Sequence, residues 1–128
     1  MILHNDAVDA ILTRRSIRSY QAKQISEDAL ETILTAGQYA PSGMNQQSAK
    51  AIVVQSKERM QQLVQLAKAA EQVDHNPFYD APTVILVFAD ATQLAPLEDG
   101  CNVLENMMLA AHSLNLGSIW IHSCLLYT

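Results

Sequence analysis

The sequence predicts an α+β or α/β layer in which helices lie over a small sheet, and three observations predict it. Apolar residues recur at helical spacing in four segments along the chain. Short β-branched or apolar runs fall at 49–55, 84–89 and 119–121, between and after the later segments. No repeat, low-complexity tract or Gly/Ser linker interrupts the order helix, helix, strand, helix, strand, helix, strand, so residues 1–128 read as one domain.

Each element has its own signal. Asp6 caps a short first helix on which Val8, Ile11 and Leu12 share a face, and the basic segment RRSIRSY follows its C-terminus. Ser26, with Glu27 and Asp28 at the positive end of the helix dipole, opens the second helix, and Ile25 and Leu30 have the spacing of a hydrophobic staple. Leu30, Ile33, Leu34 and Gly37 continue that face until Pro41 ends it in the loop APSGMNQQ. Ala49 to Gln55 is a strand. Ser56 then caps a third helix carrying Met60, Leu63, Val64 and Ala67. Pro77 and Pro82 bracket a break before Val84 to Ala89, a run apolar on both faces as a central strand requires.

The longest helix spans Leu97 to Leu114. Val103, Leu104, Met107, Met108, Leu109, Ala110 and Ala111 spread around much of its circumference, the pattern of a helix buried on most sides. Met107 and Met108 read as core packing. Asn115 and Gly117 stop this helix, and Ile119, Trp120 and Ile121 open a final strand. A chain of 128 residues has little material to cover such a helix from within, which points to a dimer whose core runs through it.

Composition narrows the function classes. A formal charge of -5 and a pI near 5.2 disfavour nucleic acid and anionic membrane surfaces as partners. Yet Arg14, Arg15, Arg18 and Lys23 gather four of the eight basic residues into ten positions, a candidate anion site. Cys101 and Cys124 lack CxxC spacing and read as buried free thiols. His4, His75, His112 and His122 lack metal-ligand spacing. Ser42 lies in P-S-G rather than G-x-S-x-G, and there is neither a GxGxxG nor a P-loop. With no membrane-length apolar run and no signal-peptide pattern, the expectation is a soluble, cytoplasmic protein.

Two segments carry chemistry. In Arg14-Arg15-Ser16-Ile17-Arg18, guanidinium forks and a hydroxyl match phosphate and polyol oxygens. In Pro41-Ser42-Gly43-Met44-Asn45-Gln46-Gln47, three side-chain amides and a hydroxyl offer both donors and acceptors to the edge of a heteroaromatic ring. Each alone has a plain structural reading, as a solvated surface or a turn. Together they would hold the two ends of a phosphorylated ring cofactor.

The pairing of RRSIRSY with APSGMNQQ about two dozen residues later is similar to the nitroreductase family. The later stretches NPFYDAP and ENMMLAAHSLNLGSIWI agree in character, so the resemblance covers nearly the whole chain. It implies an α+β layered fold, a small central sheet flanked by helices, with the long buried helix at the interface of an intertwined homodimer. It also implies FMN as cofactor, with Arg14, Arg15, Ser16 and Arg18 at the phosphate, ribityl and ring-edge atoms. Pro41, Ser42 and Asn45 would reach the flavin from the other subunit, Met44 and Gln47 would also bind the cofactor, and backbone amides near His122 and Ser123 would face the reactive edge.

The resemblance further implies that NAD(P)H gives hydride to the flavin and that a nitroaromatic, quinone or similar acceptor then takes the electrons. The scheme needs no protein acid or base, and none is assigned. Family members continue beyond the strand at Ile119 to Ile121, whereas this sequence ends in HSCLLYT, which implies a domain short of the usual C-terminal segment. The alternative is a dimer that keeps the fold and holds FMN weakly or not at all.

Overall fold

In a computed structural model of the chain, which describes residues 1–121, the first helix, α1 (Asp6–Thr13), is capped by Asn5, whose side-chain oxygen accepts the Val8 amide at 2.9 Å. The cap therefore lies one residue before Asp6. Asn5 holds the extended conformation that a cap requires, whereas Asp6 is already helical and joins Asp9 in the first turn, where negative charge is favoured.

The other two predicted caps form. Ser26 Oγ accepts the Ala29 amide at 3.2 Å to start α2 (Glu27–Gln38), and Ser56 Oγ accepts the Arg59 amide at 3.2 Å to start α3 (Lys57–Glu71). The fourth helix, α4 (Pro96–Ser113), begins on a proline, whose missing N–H is no loss in a first turn. It ends in a Schellman turn. Asn115 has φ 59°, its amide reaches His112 O at 2.9 Å, and the Leu116 amide reaches Ala111 O at 2.9 Å.

The sheet has two strands, β1 (Lys50–Val54) and β2 (Val84–Phe88), antiparallel with Lys50 opposite Phe88 and Val54 opposite Val84. Ile85 and Val87 point to the core, where they join Ile33, Met107 and Ala111 together with Val103, Leu104 and Leu116. The opposite face carries Ile52 and Phe88, both more than half exposed. β2 was expected to be central. Among the described residues it has a strand on one side only, and its other edge borders a cleft of about 1150 Å³ between α2, α4 and residues 114–121.

The strand expected at Ile119 to Ile121 does not form. The segment contributes a single parallel bridge, Ser16 with Ser118, in which the Ile17 amide donates to Ser118 O at 3.0 Å. The carbonyl of Ile17 is engaged by the Tyr20 hydroxyl at 2.5 Å instead of extending a ladder.

α2 packs along α4, and closely, because Gly37 presents no side chain to Met107. α4 buries Asp99, Met107, Met108 and Ala111, while Val103, Leu104, Leu109 and Ala110 are half-buried and Leu97 is exposed. The all-round burial that its composition calls for is thus only partly met within one chain. Cys101, expected to be buried, is a half-buried free thiol on this helix, and Cys124 lies outside the described residues. No described helix is long and apolar enough to cross a membrane.

Candidate functional site

The basic arm leaves α1 and runs beside the C-terminal half of α4. Thr13 fixes its start: the hydroxyl gives its proton to Asp9 O at 2.6 Å, so at 2.8 Å it accepts from the His112 ring, with Nε2 as the protonated nitrogen. Arg14 follows as the cap of α1, mostly buried, with Nε 4.0 Å from Glu105 Oε1. Its Nη1 is buried and has no hydrogen-bond partner among the described residues. An unpaired buried guanidinium N–H is costly, and a phosphate or polyol oxygen is the kind of acceptor that satisfies it.

The other arm residues divide. Arg15 folds back, donating from Nη1 to Leu12 O and Arg14 O at 2.8 Å each, where it caps the carbonyl end of α1. Its guanidinium is thereby engaged by the helix, unlike that of Arg14. Ser16 is exposed, and its backbone makes the bridge to Ser118. Arg18 lines a smaller cleft of about 360 Å³ with Glu71, His75, Tyr79 and Trp120. Burial raises the Tyr20 phenol above its ordinary value. Arg18 opposes that shift and Tyr79 adds to it.

The amide-rich loop sits at the other end of α4. Gly43 to Asn45 form a single 3-10 turn, with Met44, Asn45 and Gln47 in the left-handed region at φ 53°, 54° and 51°. For residues other than glycine this costs on the order of 1 kcal/mol each and persists only where the surroundings fix it. Here they do. Ser42 Oγ accepts the Gln47 amide at 3.1 Å, Gln46 Oε1 accepts the Leu94 amide at 3.1 Å, and Asp99 Oδ1 accepts the Gly43 amide at 2.8 Å. Asn102 Nδ2 donates to Pro41 O at 3.4 Å.

The side chains of Asn45 and Gln47 are exposed and make no hydrogen bond among the described residues, and Met44 is 82% exposed. These are the groups left to meet a ligand. Gln46, by contrast, is used by the fold.

Both segments are tied to α4. The loop is held by Asp99 and Asn102 and the arm by Glu105 and His112, so the nearest anchors, Asn102 and Glu105, stand three positions apart, about 4.5 Å along the axis. His122 and Ser123 lie outside the described residues.

Asp99 escaped the reading of the sequence. It stands four and eight residues before Val103 and Met107, so it shares their core-facing stripe, and an acid on such a stripe was the signal that could have found it.

A family model described as the nitroreductase family matches residues 11–127. The chain is 34% identical over 119 residues to a Methanothermobacter thermautotrophicus protein named for NADH dehydrogenase and NAD(P)H nitroreductase activity, covering 90% of this chain and 60% of that relative's length. Among solved structures it resembles a nitroreductase with bound FMN from Bacteroides fragilis, at TM-score 0.88 and 33% identity, covering 94% of this chain and 71% of that one. A nitroreductase with bound FMN from Desulfitobacterium hafniense is similar at TM-score 0.80 and 32% identity, covering 88% and 67%.

Proposed function

The chain belongs to the nitroreductase family, and from that premise we propose that it works as an FMN-dependent oxidoreductase, taking hydride from NAD(P)H and delivering electrons to a nitroaromatic, quinone or similar small acceptor. The observation that carries the cofactor is Arg14, a mostly buried side chain whose Nη1 has no hydrogen-bond partner among the described residues, in the arm whose sequence suggests an anion site. FMN, when bound, supplies the two-electron carrier between nicotinamide and acceptor.

The chain's own residues bind and orient. Arg14, Ser16 and Arg18 hold phosphate, ribityl and ring-edge oxygens, and positive charge there favours an electron-rich cofactor. Pro41, Ser42, Met44, Asn45 and Gln47 complete the site from a second subunit. Apolar surface supports the dimer: Ile11 is 60% exposed, Tyr39 83% and Leu97 52%, more than a lone small domain tolerates comfortably. No side chain is given an acid or base role.

The test is an absorbance spectrum after incubation with FMN and removal of free ligand, with the mass measured by light scattering. Visible flavin bands that bleach on adding NADH or NADPH, on a particle of twice the chain mass, are the expected result. A folded, colourless protein would overturn the reading.

A further inference from the structure

Asp99 is the one buried charged side chain among the described residues, 3% exposed, in the first turn of α4. We propose that Asp99 is the positioning residue for the cofactor loop: its carboxyl grips the Gly43 amide and so holds Met44, Asn45 and Gln47 in the backbone conformation that aims them at a ligand. The inference rests on the flavoenzyme reading above.

Two observations converge on it. The bond from Gly43 N to Asp99 Oδ1 is 2.8 Å long and joins residues 56 apart in sequence, the shortest tie between this loop and the rest of the fold. Gly43 stands immediately before the first of the three left-handed residues, so the carboxyl fixes the backbone where the strained path begins. A Cβ on Gly43 would make only ordinary van der Waals contact, with Ala95 Cβ at 3.4 Å and Leu94 Cδ2 at 3.5 Å, so a substitution there tests the bond rather than the packing.

The second carboxyl oxygen, Oδ2, is buried with no hydrogen-bond partner among the described residues. Leaving a buried polar atom unsatisfied is unfavourable for stability alone. An apolar side chain would suit stability better at this site on a core-facing stripe. The carboxyl is understandable if its first oxygen does something the fold needs elsewhere, and the loop is what that oxygen touches.

Asp99 does not reach the ligand-facing side chains, so its effect passes through backbone. That separates two readouts. In the apo protein, hydrogen exchange at the amides of residues 43 to 47 reports the loop. In the holoprotein, FMN affinity by fluorescence titration reports the site.

Asp99→Ala is expected to lose protection across that loop and to bind FMN about tenfold more weakly, the equivalent of one hydrogen bond. Asp99→Asn keeps an acceptor for the Gly43 amide and is expected to stay close to wild type in both readouts. Gly43→Pro removes the donor and sets a ring carbon where the amide hydrogen faced the carboxyl, and Asp99→Ala added to it should cause no further loss of affinity.

Unchanged loop protection in a folded Asp99→Ala protein would overturn the inference, as would additive effects of the Asp99 and Gly43 substitutions. Should Asp99→Ala fail to fold, Gly43→Pro with intact affinity and protection would overturn it equally. Lost protection with unchanged FMN affinity would instead remove the loop from the cofactor site, so that failure belongs to the flavoenzyme reading. Weakened affinity with rescue by Asp99→Asn would establish the positioning role.

Discussion

A Cβ placed on Gly37 would lie 2.9 Å from Met107 Cγ, and 3.3 Å from Val103 Cγ1. α2 and α4 therefore pack at this point with no room for a methyl group. In an isolated helix Gly37→Ala would add about 1 kcal/mol of helix stability. Overpacking a close contact costs about 1 to 3 kcal/mol. The net expectation is destabilisation by about 1 kcal/mol, read as a lower urea midpoint with unchanged slope. A raised midpoint would mean that Met107 shifts aside freely and that the contact between the helices is loose.

Arg14 and Arg15 are adjacent in sequence and differ in their hydrogen bonds. Arg14 Nη1 is buried with no hydrogen-bond partner among the described residues, while Arg15 donates to two carbonyls at the end of α1. Arg14→Ala should weaken FMN binding by about tenfold to a hundredfold, the range of one charge-assisted hydrogen bond. Arg15→Ala should act mainly on stability, by about 1 kcal/mol or less. Equal losses of FMN affinity in the two variants would show that Arg15 leaves the helix end to join the site.

Gly117 carries a different constraint. Its φ is not in the left-handed region, so the residue is not there for the turn; a Cβ on it would meet Ile17 Cγ2 at 3.0 Å. Gly117→Ala should push the arm away from residue 118, weakening FMN binding several-fold while lowering stability by only about 1 kcal/mol. Fluorescence titration beside a urea melt separates the two effects. Unaltered affinity would mean that the path of the arm does not set the site.

What was legible in the sequence was what is local. Ser26 and Ser56 cap helices because a hydroxyl needs only an amide three residues on, and both were readable. Asp6 was expected as the cap and Asn5 is the cap; both residue types cap well, and only backbone conformation decides between them. Asn115 was a correct stop, whereas Gly117 owes its identity to Ile17, a hundred residues away. Ile119 to Ile121 has strand composition, but pairing depends on which edge it meets, and only Ser118 makes a bridge. The arm and the loop were found as motifs. Their shared anchorage on α4, and Asp99 beneath the loop, are properties of packing that no spacing rule expresses.

Tyr20 gives a prediction in pH. Its hydroxyl donates to Ile17 O inside the arm, and burial is the main reason its phenol is raised above 10.0. A group with a raised pKa in the folded state contributes stability that is complete below its unfolded value and is lost as pH rises through the folded one. Wild-type stability should therefore fall as pH passes 10.0 and Tyr20 is forced to ionise in its half-buried place. Tyr20→Phe removes a hydrogen bond and should start about 1 kcal/mol less stable at neutral pH. Having no phenol to ionise at this position, it should decline less over the alkaline range, so the two curves converge. Other groups that titrate there are common to both proteins and cancel in the difference. Urea midpoints measured across that range would settle the point, since parallel curves would mean that the Tyr20 phenol ionises in the folded arm as readily as in the unfolded chain.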